Sequence, residues 1–322
     1  MKKRVWAVVF CLAAGLLSAF PASGLEVKDK LGRTVEVSVP VRRAVMLSLY
    51  EFVPALDLWA SVAGINRWAF QQQPVCDFPQ LRDVPQVGTG FNVNVEALLA
   101  LRPDVTVTWS QKPETVEFLA RRGLKVVAVY PESLGELHEV MEMCGRLFQK
   151  EDRVREVRSA MEETIGLIRE RVSNIPQGER RRVLFLWQKP TRVSGSGGLV
   201  QDVLRTIGAE NPAEGLRASY SEVSMERILA WDPETVFIWG YAQYEPETLL
   251  RSAQWRTVSA VKSGRVYKAP AADTWSPSVC MLALWMAQKT YPERFRDVSM
   301  RDAYRDFHSK CFGIASGEIP FE

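Results

Sequence analysis

Histidine is scarce in this chain of 322 residues: only two are present, His138 and His308, and each falls in a charged segment with a helical pattern. Three histidines and a carboxylate, the set that would capture zinc or manganese directly, cannot be built from two. The sequence also lacks HExxH, GxSxG, GxGxxG and a Walker lysine motif. We therefore predict no bound metal ion, no cofactor and no catalytic activity.

Long apolar runs are missing beyond the first 24 residues, so no later stretch reaches the ~18 apolar residues of a membrane helix. Within residues 1–24, three basic residues precede an apolar run, and small residues follow it. This order predicts a secretory signal peptide and hence a periplasmic protein. Phe10 stands before Cys11, where a lipoprotein signal needs a small residue, so no lipid anchor is expected.

Neither sign of charge is in excess. The formal net charge is +3, and the three basic residues of the expected leader account for all of it. In the remainder, Lys and Arg are interspersed with Asp and Glu. This pattern predicts no nucleic-acid surface.

Cysteines are few, and four follow the leader: Cys76, Cys144, Cys280 and Cys311. Their wide spacing matches no zinc pattern. In an oxidising compartment they can form up to two disulfides, in any of three connectivities. Buried free thiols are the alternative.

What the chain does contain is an internal repeat, residues 94–110 and 224–240. The copies align without a gap and share a polar cap, a glutamate, an aliphatic pair, a charged residue before proline, and a tryptophan near the end. In that order the residues include Asn94 and Ser224, Glu96 and Glu226, Pro103 and Pro233, and Trp109 and Trp239. Each copy predicts a capped helix that ends before proline, followed by a buried strand.

Helix and strand patterns alternate on both sides of one long amphipathic segment, residues 149–172. Its apolar positions recur every three or four residues: Val154, Val157, Met161, Ile165, Ile168 and Val172. A helix of this length spans about 36 Å. We predict an α/β protein with two Rossmann-like lobes, each with a parallel sheet, joined by this backbone helix. The predicted lobes are residues 25–147 and 176–322, with the connecting helix at 148–175; one large domain with a crossover helix is the alternative.

Aromatic residues are abundant at predicted strand ends and loops. In open α/β sheets ligands bind at the carboxyl ends of strands, so these side chains are candidates to line a cleft between the lobes. The candidates are Trp68, Phe91, Trp109, Trp187, Tyr220, Trp239 and Trp275, with Arg67, Arg217 and Asp273 beside them as charged partners. Core packing is the alternative for each tryptophan. The glycine-rich loop at 194–198 is either an anion cradle or a plain turn.

The order and spacing of several motifs resemble the class III periplasmic substrate-binding proteins of ABC importers, the group that binds iron-siderophores, haem and cobalamin. The motifs are Leu31-Gly32-Arg33-Thr34-Val35, Val87-Gly88, the two repeat copies, the long helix, and Trp255 followed by Ala260-Val-Lys-Ser-Gly-Arg-Val-Tyr267. The resemblance covers essentially the whole chain after the leader. It implies two lobes around a ligand cleft, with a modest closing motion.

The resemblance also implies partners. The matching glutamate of each lobe, here Glu96 and Glu226, docks on the transmembrane permease in this family; stabilisation of the helix dipole is the alternative. We expect a monomer that delivers a metal chelate, first a ferric siderophore, with cobalamin, haem or molybdate and tungstate as alternatives. A secreted two-lobe enzyme and a sensor subunit are the rival classes.

Overall fold

The computed structural model describes residues 23–89 and 91–313, so residues 1–22 of the expected leader lie outside it. The strands are β1 (Ser23–Lys28), β2 (Thr34–Val39), β3 (Ala44–Met46), β4 (Val62–Ile65), β5 (Gly88–Thr89), β6 (Asn92–Val93), β7 (Val105–Trp109), β8 (Val126–Val129), β9 (Val183–Leu186), β10 (Arg192–Ser194), β11 (Tyr220–Glu222), β12 (Thr235–Ile238) and β13 (Val266–Lys268). The helices are α1 (Phe52–Ala55), α2 (Val95–Ala100), α3 (Pro113–Ala120), α4 (Leu134–Phe148), α5 (Glu151–Val172), α6 (Leu199–Thr206), α7 (Met225–Trp231), α8 (Pro246–Leu250), α9 (Ser259–Lys262), α10 (Val279–Thr290) and α11 (Met300–Phe312). In these ranges no helix combines the length and the apolarity needed to cross a bilayer.

The N-terminal sheet is parallel, in the order β4-β3-β7-β8. Successive residues of a strand point to opposite faces, so each strand supplies two cores. In β8, Val127 and Val129 join the large central core, whereas Val126 and Ala128 join a smaller outer core with Leu98 of α2. The sheet is therefore buried on both faces, which explains its nearly continuous apolar strands.

The C-terminal sheet has the order β11-β10-β9-β12-β13. Strands β9, β12 and β13 are parallel, which confirms the predicted fold class of two Rossmann-like lobes. Strands β10 and β11 add an antiparallel edge that the sequence analysis did not predict. Each has three residues, too few to carry a recognisable alternation.

The predicted long helix is α5, which begins at Glu151 rather than at residue 149. Gln149 adopts a left-handed conformation (φ 55°) and ends α4, a helix of 15 residues. The sequence analysis placed His138 in a helical pattern but did not predict the bounds of this helix. Helix α5 packs against α4, α6, α10 and α11. It is thus embedded among helices of both halves, which favours lobes that move little relative to each other.

The internal repeat folds as predicted. Asn94 Oδ1 accepts a hydrogen bond from the Ala97 amide (3.0 Å), and Ser224 Oγ accepts one from the Arg227 amide (3.4 Å). Arg102 and Asp232, which precede the prolines, both have positive φ (44° and 41°). The repeat also extends further than the sequence analysis recognised, because α3 and α8, which follow the two strands, both begin with Pro-Glu-Thr.

The four cysteines named above are free thiols in the structure. Cys144, Cys280 and Cys311 are buried, as the free-thiol alternative expects, while Cys76 is exposed. Burial raises the pKa of Cys144 to about 12. The three buried thiols are therefore uncharged packing residues at neutral pH.

Candidate ligand-binding cleft

Three tryptophans lie at the carboxyl ends of parallel strands. Trp109 is the last residue of β7, and Trp187 and Trp239 directly follow β9 and β12. The strands end at these points because each apolar run gives way to polar or small residues. Each sheet therefore has tryptophan at the carboxyl-terminal edge, where α/β proteins bind ligands.

Trp275, from the segment between β13 and α10, joins the tryptophans of the two sheets. Its ring centroid lies 5.5 Å from that of Trp109 and 5.4 Å from that of Tyr130, both from the N-terminal half. On its other side it stacks on Trp187 at 6.3 Å with an interplanar angle of 19°. We call the connected set the central aromatic cluster: Trp109, Tyr130, Trp187, Tyr220, Trp239, Tyr241 and Trp275.

Hydrogen bonds fix two of these indoles. Trp275 Nε1 donates to the carbonyl oxygen of Pro131 (3.1 Å), and its backbone amide donates to Asp273 Oδ1 (3.0 Å). Trp187 Nε1 donates to Ser194 Oγ (2.8 Å). Aromatic rings held in this way present a rigid surface, since their polar ends already have partners.

On the C-terminal side of the cluster, an exposed aromatic ring carries a cation. We call this pair, Tyr220 and Arg192, the C-terminal rim. Tyr220 is 36% exposed, and its ring lies 5.9 Å from that of Trp187. The Arg192 guanidinium lies 3.9 Å from the Tyr220 centroid, a cation–π contact. The pairing of β10 with β11 places both residues on this edge of the sheet.

The N-terminal half has a similar arrangement of exposed rings and a cation, which we call the N-terminal rim: Trp68, Phe91 and Lys112. Trp68 and Phe91 are 40% and 39% exposed, and their rings meet edge to face at 6.4 Å. Lys112 Nζ lies 5.0 Å from the Phe91 centroid. Asn66 positions Trp68 by accepting its backbone N–H (3.0 Å). Both halves therefore place a cation on an exposed aromatic ring.

The remaining candidates differ in position. Arg67 and Arg217 are exposed, each in a segment that also supplies a rim aromatic. Asp273 is buried instead, and burial raises its pKa to about 6. It therefore positions Trp275 and does not offer a charge at the surface.

The glycine-rich loop before α6 fits the plain-turn alternative. The Ser196 amide donates to the Leu216 carbonyl (2.6 Å) and the Gly195 amide donates to the Ser219 carbonyl (3.3 Å). A Cβ at Gly195 would collide with the carbonyl oxygens of Leu216 and Ala218. The glycines thus allow close approach to residues 216–219, and two of the loop's amides already have partners.

Two residues of the candidate site were not among the candidates of the sequence analysis, Tyr130 and Lys112. Tyr130 follows β8 directly and is 7% exposed within the central aromatic cluster. Its position directly after an apolar strand could have identified it as a candidate, because Trp187 occupies the same position after β9. Lys112 precedes Pro113 in a short loop, and its contact with Phe91 depends on the fold alone.

The two repeat helices expose matching side chains. Glu96 and Glu226 lie exposed in the first turns of α2 and α7. Three residues further on, on the same helix face, Leu99 and Leu229 are each 39% exposed. A hydrogen bond from Ser224 lowers the pKa of Glu226, which keeps this carboxylate charged. Each half thus presents a carboxylate beside a leucine.

Metal-ligating side chains do not converge in the part of the chain that the structure describes. No group of three or more His, Cys, Asp or Glu residues is placed there to hold an ion. Both histidines lie outside the central aromatic cluster, and His308 is buried against Tyr304 at 4.0 Å.

A family model described as periplasmic binding protein matches residues 45–272, more than half of the chain. The chain belongs to the periplasmic binding protein family. The resemblance that the sequence motifs indicated is therefore confirmed at the level of the family. Relatives of this periplasmic binding protein differ in the ligand that their names state.

The chain is 26% identical over 336 residues to the molybdate-binding protein MolA of Haemophilus influenzae, which covers 94% of this chain and 95% of that protein. The solved structure of Helicobacter pylori CeuE in a complex with Ni-His superposes with a TM-score of 0.82 and 25% identity, over 91% of this chain and 96% of that one. The vitamin B12-binding protein of Salmonella typhi is 24% identical over 166 residues, 51% of this chain and 62% of that protein. The names of these proteins thus state binding of molybdate and of vitamin B12, and the solved structure holds Ni-His.

Proposed function

We propose that this periplasmic binding protein is the receptor of an ABC importer that captures an anionic metal complex between its two lobes and delivers it to the membrane permease. One observation carries the proposal. Aromatic side chains from the ends of both sheets meet in one cluster, and each half of the chain places a cation on an exposed aromatic ring. The proposed lobes are residues 25–147 and 176–322, and the cluster contains residues of both ranges.

The charges of the rims favour an anionic ligand. Lys112 and Arg192 both lie on rim aromatics, and Arg67 and Arg217 are exposed in the neighbouring segments. Arginine binds carboxylates and oxyanions through its planar fork, and lysine does so as a point charge. The aromatic rings are suited to an organic framework around the metal.

A ferric siderophore is our first candidate ligand because it combines a bulky organic framework with negative charge. Molybdate is the second candidate, and the similarity to MolA along nearly the whole chain favours it. The two make different demands on the cleft. A siderophore uses the aromatic surface, whereas a small tetrahedral oxyanion depends on a few hydrogen-bond donors.

The test is a titration of intrinsic tryptophan fluorescence with the purified protein without its leader. The ligands are a ferric hydroxamate, a ferric catecholate, molybdate, haem and cobalamin, and sulfate serves as an oxyanion control. Saturable binding of one ferric chelate at micromolar or lower concentration supports the first candidate. Binding of molybdate but not sulfate supports the second, and no binding of any of these ligands contradicts the proposal.

Docking on the permease is assigned to the repeat helices. Glu96 and Glu226 occupy one register in two copies, and a helix dipole worth about 0.3–1 kcal/mol explains a carboxylate in a first turn but not this repetition. The adjoining Leu99 and Leu229 add an apolar contact to each carboxylate. A partner with two equivalent halves would fit this arrangement. We further propose that the receptor acts as a periplasmic monomer.

A further inference from the structure

A buried glutamate at the start of α1 holds a segment from the other half of the chain. Glu51 is 0% exposed, and its Oε2 accepts a hydrogen bond from Ser278 Oγ at 2.7 Å. Ser278 precedes α10 and closes the short segment 273–278, which carries Trp275. The segment therefore contacts the N-terminal half at two points, Glu51 and the carbonyl of Pro131.

Asp273 opens the same segment and is also buried, with 6% exposure. Its Oδ1 accepts the Trp275 amide, while its Oδ2 has no hydrogen-bond partner. Glu51 Oε1 is likewise buried without a partner. The charge of Asp273 acts on Glu51, so a second negative charge in this buried region is unfavourable, whereas a proton on Glu51 removes the repulsion.

The electrostatic surroundings agree with this geometry. Burial and then the charge of Asp273 raise the pKa of Glu51 to about 8, against the opposing effects of Ser278 and Ser276. Tyr50, Tyr241 and Tyr304 face the pair, and burial raises the pKa of each phenol above its usual value.

Thiols and one further carboxylate complete the surroundings. Burial raises the pKa of Cys311, which also faces Glu51, to about 12. Cys76 lies near Tyr241 and Asp77 near Tyr304. Between pH 6 and 9 the phenols and Cys311 stay neutral, which leaves the carboxyl pair to titrate.

We propose that Glu51 is a positioning residue for Trp275: its buried carboxyl holds a proton and, through the hydrogen bond from Ser278, keeps the segment 273–278 seated between the two halves. Loss of the proton places a second negative charge in the buried pair. The segment then shifts, and Trp275 loses its contacts with Trp109, Tyr130 and Trp187. This inference concerns the ligand-free protein and does not depend on which anion the cleft binds.

The experiment follows tryptophan emission of the ligand-free protein between pH 5.5 and 9.5. We expect an emission change in the wild type at alkaline pH that Glu51→Gln abolishes. Trp275→Phe should remove most of the emission change but leave a pH-dependent step in thermal stability. Asp297→Asn, a change in an exposed ion pair with Arg171, is the control and should behave like the wild type.

Two further variants keep the test decisive even if Glu51→Gln does not fold. Asp273→Asn keeps an acceptor for the Trp275 amide but removes the neighbouring charge, so the transition should move to lower pH, by about one unit. Ser278→Ala removes a hydrogen bond that stabilises charged Glu51, so the transition should move to higher pH. A purely structural role would not produce opposite shifts. A wild type with flat emission, or an unchanged transition in all three variants, would overturn the inference.

Discussion

The indole N–H of Trp275 and the carbonyl oxygen of Pro131 form a 3.1 Å hydrogen bond between the two halves of the chain. Trp275 precedes α10, while Pro131 lies between β8 and α4. The same ring stacks on Trp187 and contacts Trp109. One side chain therefore connects the aromatic residues at the ends of both sheets.

Replacement of Trp275 should weaken ligand binding in two steps. Trp275→Phe keeps a ring but leaves the Pro131 carbonyl without its donor, a loss of about 1 kcal/mol or about fivefold in Kd. Trp275→Ala also removes the stacking surface and should weaken binding by more than about tenfold. Kd is measured by calorimetry with the ligand found in the fluorescence screen.

The matched control is Trp59→Phe, since Trp59 packs on Phe78 at 5.6 Å in the N-terminal half and lies outside the central aromatic cluster. It should leave Kd within about twofold. Wild-type affinity in Trp275→Ala would show that the ligand does not contact this ring.

The elements that sequence reasoning predicted well are those whose signals are local. The repeat gave two helices, two strands and the positions of Trp109 and Trp239, because caps, prolines and apolar runs act within a few residues. For helix α4 the sequence indicated only a helical pattern around His138, and its bounds were not predicted. Its Gly145 lies where a Cβ would press on Val154 of α5 at 2.9 Å, a contact that depends on the fold.

The candidate site could be predicted only as a collection of strand ends. Which aromatic residues meet depends on contacts between distant parts of the chain, such as Trp275 with Trp109 and Tyr130. The bond between Ser278 and Glu51 joins residues 227 positions apart. Neither partner carries a local pattern that indicates the other, so the buried carboxyl pair had no signal in the sequence.

Stability should fall in acid because of His308. It is 2% exposed among aromatic rings, and burial lowers its pKa from 6.5 to about 4. Between these values the unfolded chain binds a proton that the folded protein does not, so the free energy of unfolding decreases as pH falls. His308→Phe should reduce the difference between pH 7 and pH 4.5 by about 2 kcal/mol, measured by urea unfolding. If the free energy of unfolding changes by the same amount between these pH values in the variant and the wild type, the prediction is contradicted.

Two glycines should respond oppositely to alanine. Gly195→Ala places a Cβ against the carbonyl oxygens of Leu216 and Ala218, so the backbone must shift, at a cost of about 2 kcal/mol or more. Gly166 lies inside α5 with open space at its Cβ position. Gly166→Ala should raise stability by about 0.5–1 kcal/mol, because glycine is a poor helix former. Urea unfolding measures the free energy of unfolding of both variants. Destabilisation by Gly166→Ala would contradict the open space at this Cβ position.

Transport should separate from binding in the repeat helices. Glu96→Gln with Glu226→Gln removes both exposed carboxylates but keeps the caps of α2 and α7, so Kd should be unchanged. In cells that carry the variant as the sole copy, uptake of the ligand should fall at least about tenfold, because two charged contacts with the permease are lost. Glu114→Gln with Glu247→Gln is the matched control, because these glutamates also lie in first turns, one in each half, within the Pro-Glu-Thr starts of α3 and α8. Equal uptake in the two double variants would mean that the repeated carboxylates serve their own helices and not the permease.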